Sequence, residues 1–249
     1  MPCEYGGIGR HTRLKICWAS CPWEFKSPYS HSAIRIKMET IEICPQTIHM
    51  FDCDPNLLNE VRYHVDREDY TLNGLEISQT NSTNYRSVDD LLGKKKVYEK
   101  IVNWFNNCID EVKTLHNYEC ERLSITQMWS NKATYRCWHH GHKHQYSTVS
   151  GIFYVTESNA HTWFSVIDHW KTVSQPFMPV DRLDLGDSQV IAKVKTSPGK
   201  LVLFPSHLYH SVDEHMVEER PRYSISFNTF PSGKIGNFAA LTGLNLQVL

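Results

Sequence analysis

The sequence lacks the features that mark membrane, secreted and nucleic-acid-binding proteins. None of its apolar runs approaches the roughly 20 residues that a membrane-spanning helix needs, and the N-terminus has no apolar segment of the secretory type. The formal net charge is only −1 at pH 7, so no excess of positive charge draws the chain to nucleic acid or to an anionic membrane surface. We therefore expect a cytoplasmic protein with neither a membrane nor a nucleic acid as partner. Composition does not predict its oligomeric state.

Paired cysteines are also missing. The eight cysteines are scattered and none of them forms a C-x-x-C pair, which argues against a structural zinc site and a disulfide framework. We expect reduced thiols. Histidine, by contrast, is abundant: the chain has 14, and His139, His140, His142 and His144 lie close together.

Composition divides the chain into a basic extension and one domain. Residues 1–37 carry six basic and two acidic residues without periodicity, whereas residues 38–249 are long enough to bury one substantial core. We interpret the extension as a partly ordered segment or as sequence upstream of the natural start. The alternative is a basic arm that binds a partner.

Helices come first in the predicted order of elements. A helix is predicted over 54–65, with Asp54 as its N-cap and proline at the first helical position. Ser87 and Asp90 resemble a capping box ahead of a second helix, whose apolar residues repeat at helical spacing over 97–115.

Strand-forming residues dominate from residue 120 onward. Runs rich in β-branched and aromatic residues, separated by turn formers, lie at 123–129, 148–156, 162–166, 189–195, 200–204 and 222–230. This order predicts an α+β chain, with helical support at about 54–116 and an antiparallel sandwich or barrel at about 120–232. Residues 77–86 are predicted to be a polar loop.

His142 and His144 flank one residue ahead of a predicted strand. In an extended chain the side chains at i and i+2 point to the same face, so the two imidazoles can converge on one point. Neutral imidazoles aimed at a common centre suit a transition metal. Taken alone, such a pair is also common at ordinary strand ends.

Two further histidines follow the predicted strand at 200–204, after Pro205 has ended it. Alternation of side chains places His210 with the inward set and His207 on the other side, although the bend at Pro205 weakens this argument. We favour His210 as the inward residue, and His207 is the alternative.

The predicted strand at 222–230 has two unlike faces: one reads Tyr, Ile, Phe, Thr and the other reads Arg, Ser, Ser, Asn, Phe. A polar row inside a sandwich needs a reason, and a pocket for an anionic ligand supplies one. Arg222 offers a planar fork of donors that matches a carboxylate, and Ser224 can add a third donor. The alternative is an edge strand whose polar face meets solvent.

Three motifs follow one another along the chain: H-x-H, the more distant His210, and R-x-S, which begins twelve residues after His210. This order resembles that of the 2-oxoglutarate/Fe(II)-dependent oxygenases, most closely a branch found in bacteria and phages. The resemblance covers roughly residues 120–230. The segments similar to the pattern of that branch are W-S-N at 129–131, H-K-H at 142–144, S-G-I-F-Y at 150–154, P-G-K-L-V-L-F-P-S-H-L-Y-H at 198–210 and R-Y-S-I-S-F-N at 222–228.

The resemblance implies a double-stranded β-helix core, of the jelly-roll or cupin-like kind, supported by N-terminal helices. It also implies a hydroxylase of the bacterial or host cytoplasm that consumes O2 and decarboxylates 2-oxoglutarate to succinate. The substrate would be a small molecule or a peptide side chain. The implied Fe(II) ligands are His142, His144 and His210, and the implied anchors of 2-oxoglutarate are Arg222 and Ser224. Asn131, Tyr135 and Asn228 lie near these segments and are candidate donors to 2-oxoglutarate or to the substrate.

One departure from the family pattern concerns His144, which stands where these enzymes usually have a carboxylate. Either three histidines hold the iron, or a carboxylate elsewhere, such as Asp168, completes the triad. We favour His144 because its spacing fits. The rival functions are a three-histidine, cupin-type dioxygenase that does not use 2-oxoglutarate, a non-catalytic metal-binding β-sandwich and, more weakly, a zinc hydrolase.

Overall fold

The computed structural model describes residues 46–72, 84–167 and 189–247. The basic extension predicted at 1–37 lies outside the described residues, and so does Asp168. Within the described parts of the chain no helix is both long and apolar enough to cross a membrane.

Two helices precede the main run of strands, as predicted. Helix α1 spans Pro55–Val65, and the side chain of Asp54 accepts hydrogen bonds from the backbone N–H groups of Asn56 and Leu57. Helix α2 spans Lys95–Leu115. Its buried face is shorter than the periodicity suggested, because Val97 and Leu115 are exposed.

The predicted capping box is wrong. Ser87 belongs to a strand, and its hydroxyl donates to the carbonyl of Asp89. Asp90 caps a short 3-10 turn without Ser87. Its carboxylate accepts hydrogen bonds from the backbone N–H of Leu92 in that turn and from the backbone N–H of Met128.

Strands make up most of the described chain. They are β1 His49–Asp52, β2 Tyr70–Leu72, β3 Tyr85–Ser87, β4 Cys120–Ala133, β5 His139–His142, β6 Val149–Tyr154, β7 His161–Ile167, β8 Gln189–Lys195, β9 Lys200–Pro205, β10 Tyr209–Val212, β11 Arg222–Ile235 and β12 Leu244–Leu246. Each of the six predicted runs coincides with a strand. β1 lies in the stretch after residue 38, where a short strand was also expected, and the short strands β2, β3, β5, β10 and β12 were not predicted.

The strands form two antiparallel sheets. The larger has the order β1-β9-β6-β11-β4-β3-β2, with β12 paired to β11, and the smaller has the order β5-β10-β7-β8. From β4 to β11 the chain passes repeatedly between the sheets, since β4, β6, β9 and β11 lie in the larger one and β5, the adjacent pair β7 and β8, and β10 lie in the smaller. This arrangement is a double-stranded β-helix, as the resemblance implied.

The larger sheet has a different neighbour on each face. Its outer face packs against the helices in one apolar cluster, and its inner face packs against the smaller sheet in another. On β11, Tyr223, Ile225 and Phe227 belong to the outer cluster, which confirms the predicted apolar face of this strand. The polar residues of β11 are left on the inner face, between the sheets.

Phe105 of α2 lies at the centre of the outer cluster. It is fully buried, and its ring centroid lies 4.7 Å from that of Phe227 and 5.5 Å from that of Phe153. We expect Phe105→Ala to lower the free energy of unfolding by about 3–5 kcal/mol, since it removes a large side chain from a packed interior. Urea denaturation measures this. Val97→Ala, on the exposed part of the same helix, should change it by less than about 1 kcal/mol, and similar losses in both variants would contradict this packing.

Candidate metal centre and co-substrate pocket

Three histidines converge at one end of the space between the sheets. His142 ends β5 and pairs in register with His210 of β10, and His144 follows two residues later. One ligand nitrogen from each of the three lies within 4.8 Å of the other two. The structure thus brings together the three histidines that the sequence analysis favoured. His207, the alternative to His210, is exposed and is not part of this group.

His144 is placed by the loop after β5. Its backbone N–H donates to the carbonyl of Ser206, at an N–O distance of 2.9 Å, which ties this loop to the end of β9. Its ring centroid lies 5.0 Å from that of His142 and 5.1 Å from that of His210. A short hydrogen-bonded connection therefore brings to the site a residue that belongs to neither sheet.

Backbone carbonyls orient two of the three rings. The Nδ1 atom of His142 lies 3.0 Å from the carbonyl oxygen of His140, and the Nδ1 atom of His210 lies 3.0 Å from that of Leu208. A carbonyl only accepts, so each Nδ1 carries the proton and each Nε2 keeps its lone pair. Metal-binding histidines are held in this way, with one nitrogen bonded to the protein and the other turned to the ion.

Burial keeps these imidazoles neutral. Desolvation, reinforced by the neighbouring His142, lowers the pKa of His144 to about 4 and that of His210 to about 2. Desolvation also lowers the pKa of His142 below its usual value. Neutral imidazole is the form that binds a metal ion, so the group fits a divalent transition metal without first having to lose protons.

A cavity beside the histidines is lined by the inner faces of β4 and β11. Three rows cross these paired strands: Trp129 beside Ser226, Asn131 beside Ser224, and Ala133 beside Arg222. His142, His144 and His210 line the same cavity. Because alternate residues of a strand share a face, the polar face predicted for this strand lies against the candidate metal centre and not against solvent.

Arg222 lines this cavity, and its guanidinium has a hydrogen-bond donor without a partner. The residue is 4% exposed, and its Nε atom is buried without a hydrogen-bond partner. The guanidinium carbon lies 5.6 Å from the ring centroid of Tyr154, and no carboxylate forms an ion pair with it in the described ranges. A buried guanidinium remains charged. Among the residues that the structure describes, the only carboxylate that lines this cavity is that of Asp213, and it forms no ion pair with Arg222, so the guanidinium is free to bind an anion that enters the cavity.

Of the three other predicted donors, one lines the cavity and two do not. Asn131 lines the cavity, where its Nδ2 donates to the hydroxyl of Ser226 at 2.9 Å. Asn228 lies outside the cavity lining, and its Oδ1 accepts from the hydroxyl of Ser150 at 2.9 Å. Tyr135 also lies outside the lining and is 44% exposed. Position alone had suggested these last two residues, and the structure does not bring them to the site.

A buried asparagine at the cavity escaped the sequence analysis. Asn84 lies in the segment that was predicted to be a polar loop, but it is 4% exposed and lines the cavity beside β3. Its Oδ1 atom is buried without a partner. No local signal pointed to it, because β3 is only three residues long.

An outer cleft adjoins the cavity on the side of β3 and β5. Trp129, His139 and His142 line both spaces, so the cleft gives direct access to the candidate metal centre. Arg86 and Lys143 line the cleft as well, and both are exposed. The walls of the cleft are therefore mostly polar.

Comparison with known proteins agrees with this geometry. Residues 127–228 match the model of a family described as "Putative 2OG-Fe(II) oxygenase". The matched segment contains all three histidines and Arg222. Among curated proteins no significant match was found.

Several solved structures share the fold. A prolyl-4-hydroxylase of Pseudomonas putida is 13% identical, with a TM-score of 0.52, over 74% of this chain and 94% of that one. The non-heme α-ketoglutarate-dependent epimerase SnoN of nogalamycin biosynthesis is 11% identical, with a TM-score of 0.57, over 82% and 88%. A prolyl hydroxylase of Trichoplax adhaerens is 14% identical, with a TM-score of 0.51, over 74% and 83%.

At such low identity these likenesses show the fold alone. The double-stranded β-helix, the matched segment and the histidine group within it agree with one another. Residues 127–228 are therefore similar to the 2-oxoglutarate/Fe(II)-dependent oxygenases in sequence, and the chain shares its fold with solved structures of such enzymes.

Proposed function

We propose that this protein hydroxylates a small molecule or a peptide side chain, with His142, His144 and His210 as ligands of Fe(II) and Arg222 with Ser224 as the anchor of 2-oxoglutarate. The observation that carries this proposal is one cavity that joins three neutral histidines to a buried, unpaired guanidinium. An oxygenase of this superfamily needs both parts, since its metal and its dicarboxylate co-substrate act together.

The donor chemistry supports both parts of the proposal. Imidazole ligands suit iron, zinc, copper and nickel, so the histidines alone do not select a metal. The unpaired Nε of Arg222 indicates that the ligand beside the metal carries a carboxylate, because a guanidinium fork and a carboxylate form two parallel hydrogen bonds. A zinc hydrolase would have no use for such an anchor, and an iron enzyme that consumes a dicarboxylate requires one.

Each residue then has a definite task. With Fe(II) bound, the centre supplies oxygen activation coupled to the decarboxylation of 2-oxoglutarate to succinate. The carbonyls of His140 and Leu208 keep two imidazole rings turned toward the ion. Arg222 and Ser224 fix the far end of the co-substrate, so that its oxo-acid end faces the histidines.

The outer cleft is the proposed route of the substrate. It reaches His142 and shares Trp129 with the cavity, and Arg222 is not part of its lining. A partly exposed indole at this junction offers a flat apolar surface beside the reacting centre. Both small molecules and peptide side chains fit this description.

The experiment that tests this function measures succinate. Protein loaded with Fe(II) without oxygen is mixed with 2-oxoglutarate and then exposed to O2. We expect oxygen-dependent formation of succinate even without the true substrate, since oxygenases of this type turn over slowly when uncoupled. Zn(II)-loaded protein is the matched control, and it should form none. Equal succinate from both samples, or none from iron-loaded protein at any co-substrate concentration, would refute the proposal.

The assignment of His144 has its own test. We expect His144→Ala to weaken Fe(II) binding by at least about a hundredfold, because loss of a ligand should exceed the 10–100-fold effect of losing a supporting contact. Competition with a chelator under anaerobic conditions measures the affinity. His144→Asp should retain much of it, since a carboxylate is the usual ligand here, and the exposed His207→Ala should be unchanged. If His144→Ala binds iron like the wild type, another residue, such as Asp168, completes the triad.

A further inference from the structure

Asn84 and Arg222 lie on either side of Ala133 in the wall of the cavity. The register of β3 on β4, continued by one residue, places Asn84 beside Ala133. On its other side Ala133 pairs with Arg222 of β11. The three residues form a row across adjacent strands, and all of them line the cavity. Ala133, the middle residue of the row, has only a methyl side chain.

Both of these side chains carry a buried polar atom that lacks a partner. They are the Oδ1 of Asn84 and the Nε of Arg222, and each residue is only 4% exposed. In the described ranges no hydrogen bond or ion pair engages the side chain of Asn84. Buried polar groups are normally satisfied, and unsatisfied ones destabilise the fold. Two such groups in one row indicate a polar site for a ligand that accepts from Arg222 and, once the Asn84 amide is turned, from its Nδ2.

We propose that Asn84 is a further binding residue for the far carboxylate of 2-oxoglutarate, held over Ala133 between the Asn84 amide and the Arg222 guanidinium. This inference rests on the function proposed above. It adds a residue outside the R-x-S segment and on a different strand. The carboxylate would accept two hydrogen bonds from Arg222 and one from Asn84, with Ser224 in the next row.

The chemistry of the side-chain amide suits this role. An amide carries two N–H donors and one acceptor, and a half-turn about the Cβ–Cγ bond exchanges their positions. Asn84 can therefore turn its Nδ2 toward a carboxylate. A neutral donor adds a hydrogen bond without adding charge, and Arg222 already supplies the single positive charge that balances a carboxylate. An aspartate at this position would instead repel the ligand.

The test compares two ligands that differ only at the end in question. Binding of 2-oxoglutarate and of 2-oxobutyrate, which lacks the far carboxylate, is measured by calorimetry on Mn(II)-loaded protein without oxygen. We expect Asn84→Ala to raise the dissociation constant of 2-oxoglutarate by about tenfold, as for the loss of one hydrogen bond to a charged group. Asn84→Asp should raise it further. The affinity for 2-oxobutyrate should stay as in the wild type for both variants.

The controls separate binding from folding. Thermal unfolding of the metal-free protein should not be lowered by Asn84→Ala, because the substitution removes an unsatisfied buried atom. Val88→Ala, at an exposed position just after β3, should leave all of these measurements unchanged. A purely structural role of Asn84 would lower the unfolding temperature and weaken both ligands equally, and that result would overturn the inference.

The inference and the proposed function fail in different ways. If Arg222→Ala weakens 2-oxoglutarate and Asn84→Ala does not, the function stands and the role of Asn84 is refuted. If neither substitution alters the binding of 2-oxoglutarate, the cavity is not the co-substrate pocket and both proposals fall.

Discussion

The His210→Ala protein is expected to lose Fe(II) binding and, with it, the oxygen-dependent formation of succinate. His210 is 3% exposed, pairs in register with His142 and has its Nδ1 fixed by a backbone carbonyl. Its removal leaves two imidazoles, of which only His142 is held by a carbonyl of its own segment. We expect the Fe(II) affinity and the rate of succinate formation to fall by at least about a hundredfold, because losing a ligand should reduce both by more than losing a residue that only supports a ligand.

The measurement combines iron content after anaerobic loading and gel filtration with succinate formed after exposure to O2. His207→Ala is the matched control, because His207 lies three residues earlier on the same connection and is exposed. The fold of the variant is checked by circular dichroism, since a buried ring is lost. A folded His210→Ala protein that keeps its iron and its activity would show that the three histidines are not the metal centre.

Replacing Arg222 with alanine is expected to weaken the binding of 2-oxoglutarate by about 100–1,000-fold, because truncating one partner of a buried charge pair costs about 2–5 kcal/mol. Arg222→Lys should recover part of the loss, since an ammonium keeps the charge but not the planar fork. The stability of the free protein should not fall in Arg222→Ala, because the guanidinium is buried without a counter-charge in the described ranges.

The dissociation constant measured by calorimetry and the KM of the succinate assay should rise together. A saturating concentration of 2-oxoglutarate should then restore much of kcat, because the lost interaction holds the co-substrate in both ground state and transition state. An Arg222→Ala protein with wild-type affinity and turnover would show that Arg222 does not anchor the co-substrate. Oxygen consumption that does not depend on 2-oxoglutarate, and that Arg222→Ala leaves unchanged, would favour the rival three-histidine dioxygenase, which needs no carboxylate anchor. Iron binding without succinate in any variant or condition would favour the non-catalytic β-sandwich.

Local patterns in the sequence predicted an element and its buried face correctly where apolar residues repeat regularly along one segment. The apolar face of α2 and the alternation on β11 were readable because helix and strand impose periods of 3.6 and 2 on any buried face. Asp54 was readable as an N-cap because it satisfies the first N–H groups of its own helix. The short strands β5 and β10 were not readable, because four residues show too little periodicity and the pairing of these strands supplies their order.

The sequence by itself determined the α+β order of elements, the two faces of β11 and the spacing of His142, His144 and His210. Only the tertiary structure decided that His142 lies opposite His210, that Arg222 is buried without a partner, and that Tyr135 and Asn228 lie outside the cavity. The position of Asn84 shows the reason most clearly. Its neighbours in the cavity wall come from strands far along the chain, and strand register is set by pairing between segments that no local pattern contains.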